Sequence, residues 1–328
     1  MTDILTVENL RVRFTLPGIS FEAVRGLNFS LKAGETLAVV GESGSGKSQA
    51  FLSLMGLLAQ NGTVSGRVLF EGRDLVAMSP RELNEVRGRD IAMIFQDPMT
   101  SLNPAMKIGA QMAEVLTEHK GMSRKAAWDA AVDMLVRVGI PEAQRRAHSY
   151  PHELSGGMRQ RVMIGIALMC APKVLIADEP TTALDVTVQA QMLELFKTLC
   201  RETGTALVLI THDLGVVAGI ADRMMVMYAG EAVEMGPVEP LFEEPRHPYL
   251  KGLIQSTPSP EERRARLTPI SGTPPNLMRL TPGCPFAPRC QWKMGICESV
   301  APELKPAGEG RARACHFDGP LTEQESAA

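Results

Sequence analysis

The 328 residues predict an α/β fold: a phosphate-loop core with an antiparallel β layer before it, a helical insertion within it and a small Cys/Pro-rich C-terminal module after it. Three observations predict this. Gly41-Glu42-Ser43-Gly44-Ser45-Gly46-Lys47-Ser48 fits the phosphate-binding pattern G-x-x-x-x-G-K-[ST] at every fixed position. The runs from Val174 to Ala177 and from Ala206 to Ile210 are continuously apolar, as parallel strands covered on both faces are. The stretches from Leu5 to Phe14 and from Val24 to Leu31 instead alternate apolar and polar residues, with Pro17-Gly18 marking a turn between them.

Length and composition bound the function. The chain is long enough for one large domain over about 1–244 and a smaller one over 245–328, with a helical subdomain over about 105–165. A formal net charge of −3 gives no electrostatic case for nucleic acid. No apolar run approaches the roughly 20 residues that cross a bilayer. Met1-Thr2-Asp3-Ile4 lacks the basic-then-apolar start of a signal peptide. The expectation is a cytosolic protein whose membrane role, if any, is docking onto other subunits.

Around the loop, Thr36–Val40 reads as a buried strand and the apolar run from Phe51 to Leu58 as a helix. Glycines at 41, 44 and 46 let the backbone turn its N–H groups onto phosphate oxygens. Lys47 then places a compact charge near the β/γ-phosphates, and Ser48 offers a hydroxyl to Mg²⁺. Phe14 ends the first strand, where its ring suits either an adenine face or the core.

Strands are expected at 64–69 and 91–95, separated by a short helix that Ser79 caps and Pro80 opens. Gln96, followed by Pro98 and Pro104, suggests a joint able to move a side chain toward bound phosphate. The stretch 108–139 turns helical, with Ile108, Met112, Val115 and Leu116 on one face and Val132, Leu135, Val136 and Val138 on another. Ser155-Gly156-Gly157 opens the next expected helix, 159–169. A hydroxyl, two small residues and unpaired backbone N–H groups make it a second anion site or a plain cap.

Asp178-Glu179 follows a central strand directly, at the carboxyl end where α/β sheets place their ligands. Asp178 suits the Mg²⁺ shell, and Glu179 suits a group that orients or deprotonates water. A short loop, 181–185, precedes a helix over 186–199. His212 stands at the end of the strand after that, suited to a γ-phosphate contact or to a structural role. The runs at 223–228 and 231–235, joined at Ala229-Gly230, read as a hairpin.

In this order the phosphate loop, Gln96, Leu154–Met158, Asp178-Glu179, Asp185 and His212 resemble the ATP-binding-cassette ATPases over about residues 4–245. Ile94–Pro104, Met158-Arg159-Gln160-Arg161 and the 178–185 segment further resemble the ATPase subunits of bacterial oligopeptide and dipeptide importers. Met158 stands where the broader family usually has Gln, a variant that peptide-importer members share.

The resemblance implies a P-loop ATPase core that pairs head to tail with a second, related ATPase chain. Each ATP would lie between Gly41–Ser48 of one subunit and Ser155–Gly157 of the other. It implies Phe14 on adenine, Mg²⁺ held by Ser48, Gln96 and Asp178, and catalysis by Glu179, His212, Lys47 and Gln96. Gln96 would also couple nucleotide state to the membrane subunits, and Asp185 would communicate across the dimer. The implied partners are two integral membrane permease subunits and, indirectly, an extracytoplasmic peptide-binding protein. The place implied is the cytoplasmic face of the inner membrane. Other readings are an importer for another small solute, a cassette ATPase in DNA repair or translation, and a silent scaffold. The absence of tandem cassettes or a long coiled-coil insertion weighs against the second, and intact Lys47, Glu179 and His212 weigh against the third.

Beyond Glu244, eight prolines between 245 and 282 are expected to break any long regular element. Cys284, Cys290, Cys297 and Cys315 crowd a stretch too short to build much core, so a cross-link would stabilise it. Disulfides are not expected in a reducing compartment. Zinc usually takes Cys-x-x-Cys knuckles, absent here, whereas wider spacing suits a four-thiolate iron–sulfur cluster; zinc and unligated thiols stay open. The peptide-importer resemblance extends to His247-Pro248-Tyr249 and these cysteines, and implies a [4Fe–4S] cluster. Cys170 and Cys200 are expected in helices as buried small apolar residues.

Overall fold

The computed structural model describes residues 3–96, 101–181, 185–257 and 269–322. In chain order the strands are β1 (Asp3–Leu16), β2 (Ile19–Lys32), β3 (Thr36–Val40), β4 (Gly62–Phe70), β5 (Arg73–Asp74) and β6 (Ile91–Ile94). Then follow β7 (Val174–Asp178), β8 (Ala206–Thr211), β9 (Arg223–Tyr228), β10 (Glu231–Pro237), β11 (Lys305–Pro306) and β12 (Ala312–Arg313). The α-helices are α1 (Lys47–Leu54), α2 (Pro80–Val86), α3 (Ile108–Lys120), α4 (Arg124–Arg137) and α5 (Ala143–Arg146). They continue with α6 (Gly156–Leu168), α7 (Val186–Thr203), α8 (Leu214–Ile220), α9 (Val238–Glu243) and α10 (Pro248–Ser256).

The chain forms two compact units. One comprises Met1–Leu5, Ser30–Thr36 and Leu69–Ile210; the other comprises Thr6–Phe29, Leu37–Val68 and Thr211–Ala328.

In the first unit β6, β7 and β8 run parallel, with Ile91 opposite Val174 and Val174 opposite Ala206. All five residues of β7 and all six of β8 are buried, which explains their continuous apolar reading. Ser79 and Glu82 form a reciprocal capping box at the start of α2, as expected from Ser79-Pro80. The insertion is helical, and its faces follow the 3.6 period. On α4 the buried residues are Ala127, Ala131, Met134 and Leu135, while Val136 is 62% exposed. The expected face including Val136 is thereby corrected: one residue on from Leu135 is about 100° around the helix. Small residues let the helices approach. A Cβ on Gly109 of α3 would lie 2.8 Å from the Trp128 ring of α4, and one on Gly165 of α6 would lie 3.0 Å from the Met112 methyl of α3.

In the second unit β3 and β9 pair in parallel, Leu37 opposite Arg223 and Val40 opposite Val226. The hairpin joining β9 to β10 turns at Ala229 and Gly230, both with positive φ (51° and 82°). Among the described residues, the segment after residue 244 shares a core with earlier parts of the chain. Its β12 pairs with β10, Glu234 opposite Arg313, and Tyr249, Leu250 and Phe286 share one core with Val40, Val226 and Tyr228. The prolines do not exclude a helix there: Pro248 opens α10, with His247 capping it through Nδ1, which accepts from Tyr249 N–H at 3.0 Å. Its described residues also include short 3₁₀ turns, among them Ala287–Arg289 and Gly295–Glu298.

Several expected bounds shift. The helix after the phosphate loop starts at Lys47 and ends at Leu54, short of the expected 51–58, because Gly56 takes φ 58° just beyond it. The helix expected at 159–169 is α6, which starts at Gly156. Cys170 lies in the turn beyond it, outside any helix yet buried. The strand expected to reach Phe95 stops at Ile94 and leaves Phe95 42% exposed.

Candidate functional site

β3 delivers the chain to Gly41 from inside a sheet, so the loop starts from a rigid base. Gly44 and Gly46 lie in left-handed conformations (φ 78° and 98°), open to glycine at little cost. At Gly41 and Gly46 space also decides: a Cβ would drive into the carbonyl oxygens of Met227 and Ala23, respectively. At Gly44 a Cβ would meet nothing within 4 Å. Gly46 caps α1 with no side-chain bond to its first N–H groups, the arrangement that receives an anion.

Lys47 is only 6% exposed. Its Nζ donates to the carbonyls of Gly41 (2.7 Å) and Glu42 (3.0 Å) and to Ser45 Oγ (3.4 Å), so the cation lies folded over the loop's own backbone. Ser43 and Gly44 are exposed at the loop's crest, and Ser48 is half-buried. Glu42 has partners that sequence reasoning missed. Its carboxylate accepts a two-pronged ion pair from Arg289, at 2.6 and 2.9 Å, and its N–H donates to the Tyr249 hydroxyl at 2.7 Å.

Phe14 and His212 belong to the same unit. Phe14 is half-buried, tilted against Phe21 with ring centroids 5.9 Å apart, so it is not a residue of the deep core. His212 is exposed, immediately before Asp213, which caps α8 by accepting from Gly215 N–H at 2.9 Å.

The first unit carries the acidic group. Asp178 ends β7 and is buried; Glu179 follows, half-buried, with φ 46°. A left-handed glutamate costs about 1–3 kcal/mol and is held here by its N–H, which donates to Ile210 O at 2.9 Å. Gln96, just beyond β6, donates from Nε2 to Glu179 Oε2 at 3.1 Å. The parallel pairing of Ile94 with Ala177 brings these two strand ends together.

Ser155 Oγ accepts from Met158 N–H at 3.3 Å, so within one chain it is the cap of α6. Gly156 is exposed with open space around its Cβ position, and at Gly157 the nearest neighbour is Val188 at 3.7 Å. Asp185 caps α7, accepting from Val188 N–H at 3.0 Å. Asp97, Pro98, Met99 and Thr100 of the expected joint, and Thr182, Ala183 and Leu184 of the loop before α7, lie outside the described residues.

The tail thiols stand in one another's field. Burial first, then the neighbouring thiols, push Cys284 and Cys315 up and take Cys290 to about 12. Yet among the described residues no group of three or more His, Cys, Asp or Glu side chains is arranged to hold a metal ion. The geometry therefore lends the expected iron–sulfur cluster no support.

Two matches bear on what this loop and acidic pair belong to. Residues 24–182 match the ABC transporter family, and residues 233–297 match the oligopeptide/dipeptide transporter C-terminal region. The oligopeptide transport ATP-binding protein OppD of Salmonella typhimurium is 56% identical over 312 residues, covering 95% of this chain and 93% of the relative. The chain belongs to the ABC transporter family. Another ABC transporter relative, the dipeptide transport ATP-binding protein DppD of Bacillus subtilis, is 54% identical over 92% of this chain and 91% of its own. A solved dimeric ATP-binding cassette, described as a post-hydrolysis state bound to ADP and Pi, superposes with TM-score 0.65 at 28% identity. It covers 72% of this chain and 99% of that one. The P-loop fold expected from Gly41–Ser48 is thus an ABC ATPase fold. Among the described residues no helix is long and apolar enough to cross a membrane.

Proposed function

We propose that the chain is the ATP-hydrolysing, energy-coupling subunit of an importer for di- and oligopeptides. The observation that carries this is the likeness to oligopeptide and dipeptide transport ATP-binding proteins along 92–95% of the chain. The match at 233–297 adds to it, because that region lies outside the phosphate-loop motifs.

In this reading the loop from Gly41 to Ser48 holds the phosphates of ATP, with Lys47 as the positive charge and Phe14 against adenine. Glu179 takes a proton from, or orients, the water that attacks the γ-phosphate, and Gln96 holds its carboxylate. His212 supplies a further donor to the transferring group. Ser48, Gln96 and Asp178 would hold Mg²⁺, directly or through water, and the ion would neutralise charge between the β- and γ-phosphates. The buried Asp178 and the hydroxyl of Ser48 are the hard oxygen donors that this ion takes.

The open space at Gly156 supports a nucleotide-bridged pair in which Ser155–Gly157 of a second, related ATPase chain completes the site, with Asp185 near the seam. The pair docks on two integral membrane permease subunits at the cytoplasmic face, fed by an extracytoplasmic peptide-binding protein. The cassette extends over about 1–244, with its helical subdomain at about 105–165 and a C-terminal module from 245 onward. Cys284, Cys290, Cys297 and Cys315 would be the ligands of a [4Fe–4S] cluster; the resemblance of the tail to peptide-importer subunits is what suggests it, and the placement of the described residues does not add to it. Iron and sulfide analysis of anaerobically purified protein decides it.

The test is reconstitution with the permease subunits in proteoliposomes. Peptide-dependent ATP hydrolysis and peptide uptake are expected. Hydrolysis indifferent to both permease and peptide would overturn the reading in favour of a cassette ATPase not coupled to transport.

A further inference from the structure

The strongest feature that catalysis does not absorb is the grip of the C-terminal segment on the phosphate loop. Arg289 lies in the 3₁₀ turn between Cys284 and Cys290, its side chain 4% exposed. Both terminal nitrogens donate to Glu42, NH1 to Oε2 at 2.6 Å and NH2 to Oε1 at 2.9 Å. The remaining donors are also used: Nε bonds Ser271 O at 3.0 Å, and NH1 reaches the Tyr228 hydroxyl at 3.3 Å. A planar fork on a carboxylate fixes orientation as well as charge.

A second contact reaches the same residue independently. The Tyr249 hydroxyl accepts the Glu42 N–H at 2.7 Å. Tyr249 is fully buried, its ring 4.5 Å from that of Tyr228 and 5.5 Å from that of Phe286. Its helix is anchored in turn. Glu234 accepts from the N–H groups of Arg246 (3.0 Å) and His247 (2.8 Å), and His247 caps α10.

Glu42 is where these two holds meet the lysine. Lys47 Nζ rests on the carbonyls of Gly41 and Glu42, so a shift of Glu42 moves the seat of the cation that meets phosphate. Catalytic and binding groups tolerate such shifts poorly. We propose that Arg289 and Tyr249 are positioning residues for ATP binding, which act through Glu42 on Lys47, so that the C-terminal segment sets nucleotide affinity.

The inference rests on the ATPase reading for its choice of ligand. Its test measures MgATP binding to the full chain by calorimetry, with steady-state ATPase kinetics beside it, for Arg289→Gln, Tyr249→Phe, Glu42→Gln and the Arg289→Gln/Glu42→Gln pair. Arg289→Gln is expected to weaken MgATP about tenfold and to raise KM with kcat within about twofold. Arg289→Lys, which keeps charge but loses the fork, should fall between. The double substitution should bind no worse than either single one, since both cut the same link.

Additive losses, or a lowered melting temperature with unchanged affinity, would overturn the inference and leave Arg289 a structural residue. If Arg289→Gln does not fold, Tyr249→Phe decides alone, because it removes one hydroxyl and keeps the ring packing; unchanged affinity there refutes the proposal. Failure of the unsubstituted chain to bind MgATP would refute the ATPase reading instead.

Discussion

The Gln96 side-chain amide donates to the Glu179 carboxylate at 3.1 Å, across the ends of two adjacent parallel strands. That contact aims a carboxylate whose backbone is itself in a left-handed conformation. Glu179→Gln keeps a partner for Gln96 but removes the carboxylate proposed as the base. Hydrolysis is expected to fall by about 10²-fold or more with MgATP binding retained, measured by phosphate release and calorimetry. Undiminished turnover would remove Glu179 from the mechanism.

Two glycine substitutions should separate folding from assembly. Gly46→Ala places a Cβ against Ala23 O at φ 98° and should cost about 1–3 kcal/mol in denaturant unfolding. Gly156→Ala meets nothing within 4 Å, so stability should hold while ATP-dependent dimerisation, followed by light scattering, is lost.

Arg311 and Glu234 form an ion pair at 2.9 Å with both side chains 1% exposed. Arg311→Met would strand a carboxylate whose proton affinity burial already raises, and is expected to cost about 3–5 kcal/mol. Adding Glu234→Gln should recover part of that loss. Chemical denaturation of the single and double variants checks it.

His247 carries a pH dependence. Burial, then the charge of Arg313, lowers it to about 3 from an ordinary 6.5, so it is neutral when folded. Below pH 6.5 the unfolded chain takes up a proton that the folded chain refuses. The stabilising contribution is therefore complete above pH 6.5 and is lost as pH falls toward 3, with a slope of about 1.4 kcal/mol per pH unit. Between pH 6.5 and 5 most carboxylates stay ionised, so stability in that window should fall for the native chain and flatten in His247→Gln.

The chemistry was legible wherever its geometry is local. The phosphate loop, the Ser79-Pro80 helix start and the Asp178-Glu179 strand end each declare themselves within eight residues, because turns, caps and buried strands are set by neighbouring side chains. Val136 misled because valine suits either environment, and only the packing of α3, α4 and α6 places the stripe through Ala131 and Met134 instead. The tail reads in sequence as a small appended module that a cross-link would stabilise; what its composition does not show is that its described residues add to a sheet edge and join a core begun elsewhere in the chain.

By itself the sequence determined the loop that carries the phosphate-binding pattern, the carboxylates at the strand end and the family that carries both. Only the tertiary structure decided what holds that loop in place. Glu42 and Arg289 stand 247 positions apart, and neither differs locally from a solvated surface charge. Burying Tyr249 and Phe286 beside β3 and β9 brings the guanidinium to the carboxylate, and that burial depends on distant parts of the chain meeting, which no local pattern encodes.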